Sequence, residues 1–252
     1  MLLLACDFDG TLYRGGRVAK SDREAVDRFR EQGNLFGIVT GRGGTTLFRE
    51  LKRHPVAFDF CVLNNGALIL DGGGRELYRA PFPDAVRREI LTGGFVGEAS
   101  HCALFDGRDM YVLEGSGGFW VVPKYKMPEL TLAEALERPV QQISLAYPDR
   151  PTAQAVGTRL AERLGKSANV LPSLALDDIV PGGVSKTDGV RRAAALMGWH
   201  PERIIAAGDD RNDVDMLRSF EGYAMEGSDA DVLAAAEGAV PSVQALLDGL
   251  CD

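Results

Sequence analysis

The chain opens on an unbroken apolar run, Leu2-Leu3-Leu4-Ala5-Cys6, and ends it on two aspartates, Asp7-Phe8-Asp9, with Gly10-Thr11-Leu12 behind them. Such a run reads as a strand buried on both faces, as found in a parallel sheet between two helical layers. Two carboxylates at its end repel each other, and the placement costs stability unless a cation or a reaction uses it. The pattern recurs. Leu35-Phe36-Gly37-Ile38-Val39 runs into Thr40-Gly41-Arg42, Phe60-Cys61-Val62-Leu63 into Asn64-Asn65-Gly66, and Arg203-Ile204-Ile205-Ala206-Ala207 into Gly208-Asp209-Asp210. Helical patterns lie between. Ser21-Asp22-Arg23-Glu24 reads as a capping box with Ser21 as N-cap, ahead of Ala25, Val26 and Phe29 on one face and Gly33 at the end. A second helix runs through Leu47, Phe48 and Leu51. The first 66 residues therefore read β-α-β-α-β with short links.

The pattern then changes. A hairpin is expected from about Leu68 to Leu77, turning at Gly72-Gly73-Gly74, and Pro81 and Pro83 break the chain. Beyond them, strands are expected at Cys102 to Phe105, Met110 to Leu113, Gln142 to Tyr147 and Ala168 to Leu171, with a helix over Thr152 to Leu164. Pro181-Gly182-Gly183 reads as a linker. The α/β pattern returns with Ser185 to Asp188 capping a helix that ends at Gly198, then a helix through Met216 and Leu217 and a short strand near Tyr223-Ala224-Met225. The expected organisation is a Rossmann-like, doubly wound parallel-sheet core over residues 1–80 and 181–252, interrupted by an inserted α+β cap over 81–180. Neither half of the core has enough strands to cover itself, so both must close into one sheet.

Composition limits the partners. Lys and Arg number 28 against 36 Asp and Glu, a net charge of −8, which disfavours a general nucleic-acid binder but leaves room for a small anionic substrate gathered by local cations. No apolar run is long enough to span a bilayer. Cys6, Cys61, Cys102 and Cys251 include no C-x-x-C pair and read as reduced thiols of a cytoplasmic protein, while His54, His101 and His200 share no metal-ligand spacing.

In a parallel sheet all C-terminal strand ends face one edge, where ligands bind at the point where strand order reverses. Asp7-Phe8-Asp9, Thr40-Gly41-Arg42 and Gly208-Asp209-Asp210 should then share one site. Asp7, Asp9 and Asp209 offer hard oxygen ligands with no soft ligand nearby, a set that suits Mg²⁺. A cation offsets their repulsion, one aspartate can act as a nucleophile toward phosphorus, and the other can serve as acid and then base. The Thr40 hydroxyl, the backbone N–H groups near Gly41 and the Lys186 ammonium suit the equatorial oxygens of a transferring phosphoryl group.

The ordered set Asp7-Phe8-Asp9-Gly10-Thr11-Leu12, Thr40-Gly41-Arg42, Gly183-Val184-Ser185-Lys186 and Gly208-Asp209-Asp210-Arg211-Asn212-Asp213 resembles the four motifs of the haloacid dehalogenase superfamily phosphatases. The long insert, Asn65-Gly66-Ala67 and the Asp178-Ile179-Val180-Pro181 approach to the lysine loop resemble the Cof-like, type IIB subgroup with its C2 cap. The resemblance implies that Asp7 is the nucleophile, giving an aspartyl-phosphate. Asp9 would protonate the leaving alcohol and then activate water, its carbonyl touching the metal. Thr40 and Lys186 would hold the phosphoryl group, Asp209 would complete the Mg²⁺ site, and Asp213 would stand one layer back, orienting a metal water or Lys186. Substrate contacts carry over to Gly41, Arg42, Asn65 and Asn212. In the cap, Asp178, Tyr147 and Arg79 are candidates to face the active site but read in preference as surface or hinge groups, and Phe119-Trp120 is a candidate pocket lining that reads in preference as cap core. The expected function is Mg²⁺-dependent hydrolysis of a sugar phosphate or similar small phosphorylated metabolite. A phosphomutase and a non-enzymatic phospho-aspartate switch or metabolite sensor stay open beside it. Oligomeric state is undetermined.

Overall fold

The computed structural model describes residues 1–116 and 127–251; Phe119 and Trp120 lie outside them. In chain order the first elements are β1 (Leu2–Asp7), a small hairpin β2 (Tyr13–Arg14) and β3 (Arg17–Val18), α1 (Lys20–Glu31), β4 (Leu35–Val39), α2 (Gly44–Arg53), β5 (Phe60–Leu63), β6 (Leu68–Asp71) and β7 (Glu76–Arg79). Next come α3 (Asp84–Thr92), α4 (Phe95–Glu98), β8 (His101–Phe105), β9 (Met110–Leu113), β10 (Glu129–Leu130), α5 (Leu132–Glu137), β11 (Gln142–Ala146), α6 (Arg150–Leu164), β12 (Ala168–Ser173) and β13 (Leu176–Pro181). The chain closes with α7 (Lys186–Leu196), β14 (Arg203–Gly208), α8 (Val214–Ser219), β15 (Glu221–Met225), α9 (Ala230–Leu233), β16 (Gly238–Val240) and α10 (Val243–Cys251).

The first sheet has the order β16-β15-β14-β1-β4-β5-β6-β7, so both ends of the chain do enter one sheet. Pairing is parallel from β16 to β5 and antiparallel for β6 and β7. β1 lies at the centre, with Cys6 opposite Ala207 and Asp7 opposite Val39. Its residues from Leu3 to Cys6 are fully buried, as a central parallel strand demands. One face is covered by α1, α2 and α10 through Val26, Phe29, Leu47, Leu51, Val243 and Leu246, the other by α7 and α8 through Val190, Ala193, Met216 and Leu217. Each large apolar side chain so buried contributes about 1.5–3 kcal/mol.

The second sheet has the order β10-β9-β8-β11-β13-β12. One face packs on helices through Ile143, Leu145, Val156, Leu160 and Ile179. Strand alternation turns Gln142, Ser144 and Asp178 to the opposite face, with Ser144 directly across from Asp178.

Three local expectations are corrected. Ser21 is not the N-cap of α1: Ala19 is, without a side-chain bond, because the pairing of Val18 with Tyr13 fixes where the chain enters the helix. Glu24 pairs instead with Lys20 one turn back, at 3.2 Å. Pro181 is not linker but the last residue of β13, paired with Ala168, and only Gly182 and Gly183 form a turn. Finally, α3 begins directly after Pro83, so that proline marks a helix start as well as a break.

Candidate active site

The polar strand ends converge as the parallel sheet requires. The ends of β1, β4 and β14 open on one cavity of about 640 Å³, whose walls include Asp7, Asp9, Thr40, Gly41, Arg42, Asp209 and Asn212. It lies where strand order reverses, between β1 and β14. Gln142, Ser144, Leu176 and Asp178 of the second sheet close the other side. Gly10 follows Asp9 at φ +86°, and a Cβ there would meet the Asp209 carboxylate at 2.1 Å, so only glycine lets the two aspartate loops meet. At Gly41 a Cβ would come within 2.9 Å of Asn65 Nδ2 and 3.1 Å of Asp178 Oδ2, which ties the tight β4 loop to the second sheet.

Lys186, 3% exposed in the first turn of α7, donates from Nζ to Asp7 Oδ1 at 2.7 Å and to Asp213 Oδ1 at 2.6 Å. Ser185 caps that helix by accepting from the Asp188 N–H, as expected, and so aims the lysine. Burial alone would lower the lysine's pKa, but Asp213 and Asp7 overturn that and hold it above the ordinary range. Asp213 Oδ2 accepts from the backbone N–H groups of Asp209 and Asp210, each at 3.1 Å, so both its oxygens are engaged in holding the lysine and the β14 loop. Thr11 donates to Asp209 Oδ1 at 2.8 Å.

Among the described residues, carboxylate oxygens of Asp7, Asp209 and Asp213 lie within 4.8 Å of one another. Desolvation, then Asp213, raises the Asp7 carboxyl pKa well above its ordinary value against the pull of Lys186. Desolvation likewise pushes Asp209 up to about 6. Among the described residues, Asp7 Oδ2 is buried without a hydrogen-bond partner. An orphaned carboxylate oxygen inside a crowded acid cluster fits a hard cation, and a positive charge there would reverse both shifts.

Asp9 stands apart from that cluster. Its carboxylate is held by both arms of the Arg42 guanidinium at 2.6 Å, and the guanidinium stacks over Phe8 and Tyr13 at 5.2 and 5.6 Å. Thr40 is 1% exposed, and its hydroxyl accepts from the Arg42 N–H at 3.1 Å. Asn65 sits at φ +51° and donates to Asp178 Oδ2 at 2.8 Å and Gln142 Oε1 at 3.1 Å. Asn212 reaches Asn65 only at 3.5 Å and faces the cavity.

The second-sheet wall is where reading from sequence fell short. Asp178 is neither a surface nor a hinge group: it is a nearly buried carboxylate on the cavity wall, accepting also from the Ser144 hydroxyl. Desolvation raises its pKa to about 6. Gln142 Nε2 donates to the Gly41 carbonyl and to Ser144 Oγ, both at 3.1 Å. The usable signal was the alternation Gln142-Ile143-Ser144-Leu145, which gives that strand one polar face. Tyr147 is buried in the second sheet's own core, and Arg79 pairs with Glu76, away from the cavity walls.

Comparison with known proteins bears on the family. The family model described as haloacid dehalogenase-like hydrolase matches residues 4–251. The pyridoxal phosphate phosphatase YbhA of Escherichia coli is 27% identical over 257 residues, covering 93% of this chain and 91% of that protein. A chloroplastic endoribonuclease, YBEY, of Arabidopsis thaliana is 24% identical over 228 residues; they cover 84% of this chain but only 39% of that protein's length. The solved structure of the HAD subclass IIB sugar phosphatase BT4131 superposes with a TM-score of 0.84 at 20% identity, covering 100% of this chain and 98% of its own, which establishes a common fold. With the family model matched almost end to end, the chain belongs to the haloacid dehalogenase-like hydrolase family and is an enzyme of its phosphatase type.

Proposed function

We propose that the protein is a Mg²⁺-dependent phosphomonoesterase that hydrolyses a sugar phosphate or similar small phosphorylated metabolite through an aspartyl-phosphate on Asp7. The observation that carries this reading is Asp7 itself: one carboxylate oxygen is pinned by Lys186 at 2.7 Å, while the other is buried beside Asp209 with no partner among the described residues. One oxygen is thereby oriented and the site keeps a place for positive charge. Asp7 and Asp209 would hold Mg²⁺ through their carboxylates and Asp9 through its carbonyl, with Asp213 behind them fixing Lys186 and the β14 loop. The ion supplies charge neutralisation for the phosphoryl oxygens when bound.

Asp7 attacks phosphorus, its new O–P bond forming as the ester P–O bond breaks, and the leaving oxygen takes its proton from Asp9. Water then attacks phosphorus, giving its proton to Asp9, and the acyl-phosphate P–O bond breaks to free Asp7 and inorganic phosphate. Lys186, the Thr40 hydroxyl and the N–H at Gly41 would face the charge that develops on the phosphoryl oxygens. The Arg42 fork fixes where the Asp9 carboxylate stands, with one guanidinium nitrogen on each of its oxygens. Asn65 and Asn212 are assigned to the substrate's far side. Residues 1–80 and 181–252 would act as the core, and 81–180 as a cap that excludes bulk water. Buried unpaired Cys6, Cys61 and Cys102 support a reducing, cytoplasmic setting.

Phosphate release is the test: the protein with Mg²⁺, and Asp7→Asn beside it, against hexose phosphates, pyridoxal phosphate, phosphoglycolate and nucleotides. Release that stops with chelator, returns with Mg²⁺ and is absent in the variant is expected. Full turnover in chelator, or in the variant, contradicts the reading.

A further inference from the structure

The walls beyond the phosphoryl position are acidic. Of the carboxylates that line the cavity, Asp9, Asp178, Asp210, Glu226 and Asp229 lie outside the pair assigned to the metal. Among the described residues the lining cations are Arg42 and Arg150, and each guanidinium already holds a carboxylate: Arg42 grips Asp9 at 2.6 Å and Arg150 grips Asp229 at 2.7 Å. Asp178 is met by uncharged groups, the Asn65 amide and the Ser144 hydroxyl, and Asp210 by the Ser173 hydroxyl and the Arg211 N–H. A ligand entering this half of the cavity meets net negative charge and hydrogen-bond acceptors. Against the acceptors stand Phe105, Met110, Leu174 and Leu176 of the second sheet. Leu174 is 64% exposed at the β12–β13 turn, at φ +51°, a left-handed conformation that costs a leucine free energy.

Resting on the phosphatase reading, we infer that the leaving group this site accepts is uncharged or cationic, offers O–H or N–H donors along the edge facing Asp178, turns an apolar face to Leu174 and Leu176, and carries no carboxylate. The dianionic phosphoryl end is matched by Lys186 and the cation site. A second anion on the leaving group would be pressed against Asp178, Asp210 and Glu226 with, among the described residues, no lining guanidinium uncommitted to a carboxylate, and like-charge juxtaposition of this kind discriminates strongly between partners.

The test is competition against hydrolysis of p-nitrophenyl phosphate by the Mg²⁺-loaded protein, with esters matched except for charge: glycerol 3-phosphate against 3-phosphoglycerate, and phosphoethanolamine against phosphoglycolate. The inhibition constant of each is read whether or not it is turned over. The neutral or cationic member of each pair is expected to bind at least about tenfold tighter than the acid at low salt. In Glu226→Gln combined with Asp210→Asn that ratio should shrink at least threefold. Asp178→Asn should shrink it too, and the rim variant keeps the test independent of any folding defect at Asp178. Acids that bind as tightly as their partners, or a ratio unmoved by the rim substitutions, would overturn the inference. Failure to hydrolyse p-nitrophenyl phosphate at all, with folded protein and Mg²⁺ present, would instead sink the phosphatase reading and take this inference with it.

Discussion

Asp7→Asn separates the cost of the site from its use. In the apoprotein, Asp7 lies within 4.8 Å of both Asp209 and Asp213 and 2.7 Å from Lys186. At an effective dielectric of about 20, each repulsion costs roughly 3.5 kcal/mol and the attraction returns roughly 6 kcal/mol, so the pairwise terms nearly cancel. Desolvation of a fully buried carboxylate adds a cost of order kcal/mol with nothing to offset it. The amide keeps the shape, can still accept from Lys186, and removes one charge from the cluster. At pH 8 in chelator the variant should therefore unfold about 1–3 kcal/mol less readily, a rise of roughly 2–10 °C in Tm for a chain of this size. Mg²⁺ should reverse the order. At a hundredfold excess over Kd the wild type gains about 2.7 kcal/mol by mass action, and the variant, short of a ligand, gains much less. Thermal denaturation followed by circular dichroism, with and without Mg²⁺, measures both. A variant clearly less stable than wild type in chelator would refute the reasoning, because Asp7 would then be a stabilising ion-pair partner and not a repelled group. Equal Mg²⁺ shifts in the two proteins would refute the metal assignment.

Lys186→Met should cost about 3–5 kcal/mol, since it leaves Asp7 and Asp213 facing each other with no cation, and Mg²⁺ should recover part of the lost Tm. Asp177, fully buried in the second sheet, has its pKa pushed to about 7, first by desolvation and then by Asp178, against the pull of a Tyr147 hydrogen bond. A raised folded pKa means that the neutral form's advantage is complete below about pH 4 and lost as pH rises through about 7. Asp177→Asn should therefore raise Tm at pH 8.5 by the equivalent of about 2 kcal/mol, after discounting the full shift for screening, and change little at pH 5; equal effects at both values would contradict it. Leu174→Gly should raise KM for p-nitrophenyl phosphate severalfold with Tm nearly unchanged, because relief of about 1 kcal/mol of left-handed strain is balanced by glycine's extra chain entropy.

The core was legible because its signals are local and redundant. Each buried strand is a continuous apolar run, each ends on a polar cluster, and the parallel topology puts those ends on one edge, so Asp7, Thr40 and Asp209 could be brought together from spacing and strand chemistry. Lys186 needed the motif order as well. What escaped depended on tertiary context. The start of α1 is set by the Val18–Tyr13 pairing, which no capping rule contains. β13 reads from sequence as an approach and a linker because Asp177 and Asp178 are poor strand formers and Pro181 looks like a break, yet the strand lies between β11 and β12, where pairing on both sides outweighs propensity. The grip of Arg42 on Asp9 was also invisible: it joins residues 33 apart in sequence, and the aspartate alone reads as a free acid/base group.

The most direct test of the central claim is the mass of the protein after a brief reaction. Asp9→Asn with Mg²⁺ and p-nitrophenyl phosphate, whose leaving group needs no proton, is quenched in acid and read by intact-mass and peptide mass spectrometry. The account predicts one added phosphoryl group, on the peptide carrying Asp7, formed as a burst with slow later release, and absent when Asp7→Asn is combined with Asp9→Asn. Phosphate released at the wild-type rate with no covalent adduct, or an adduct that survives the loss of Asp7, would contradict it.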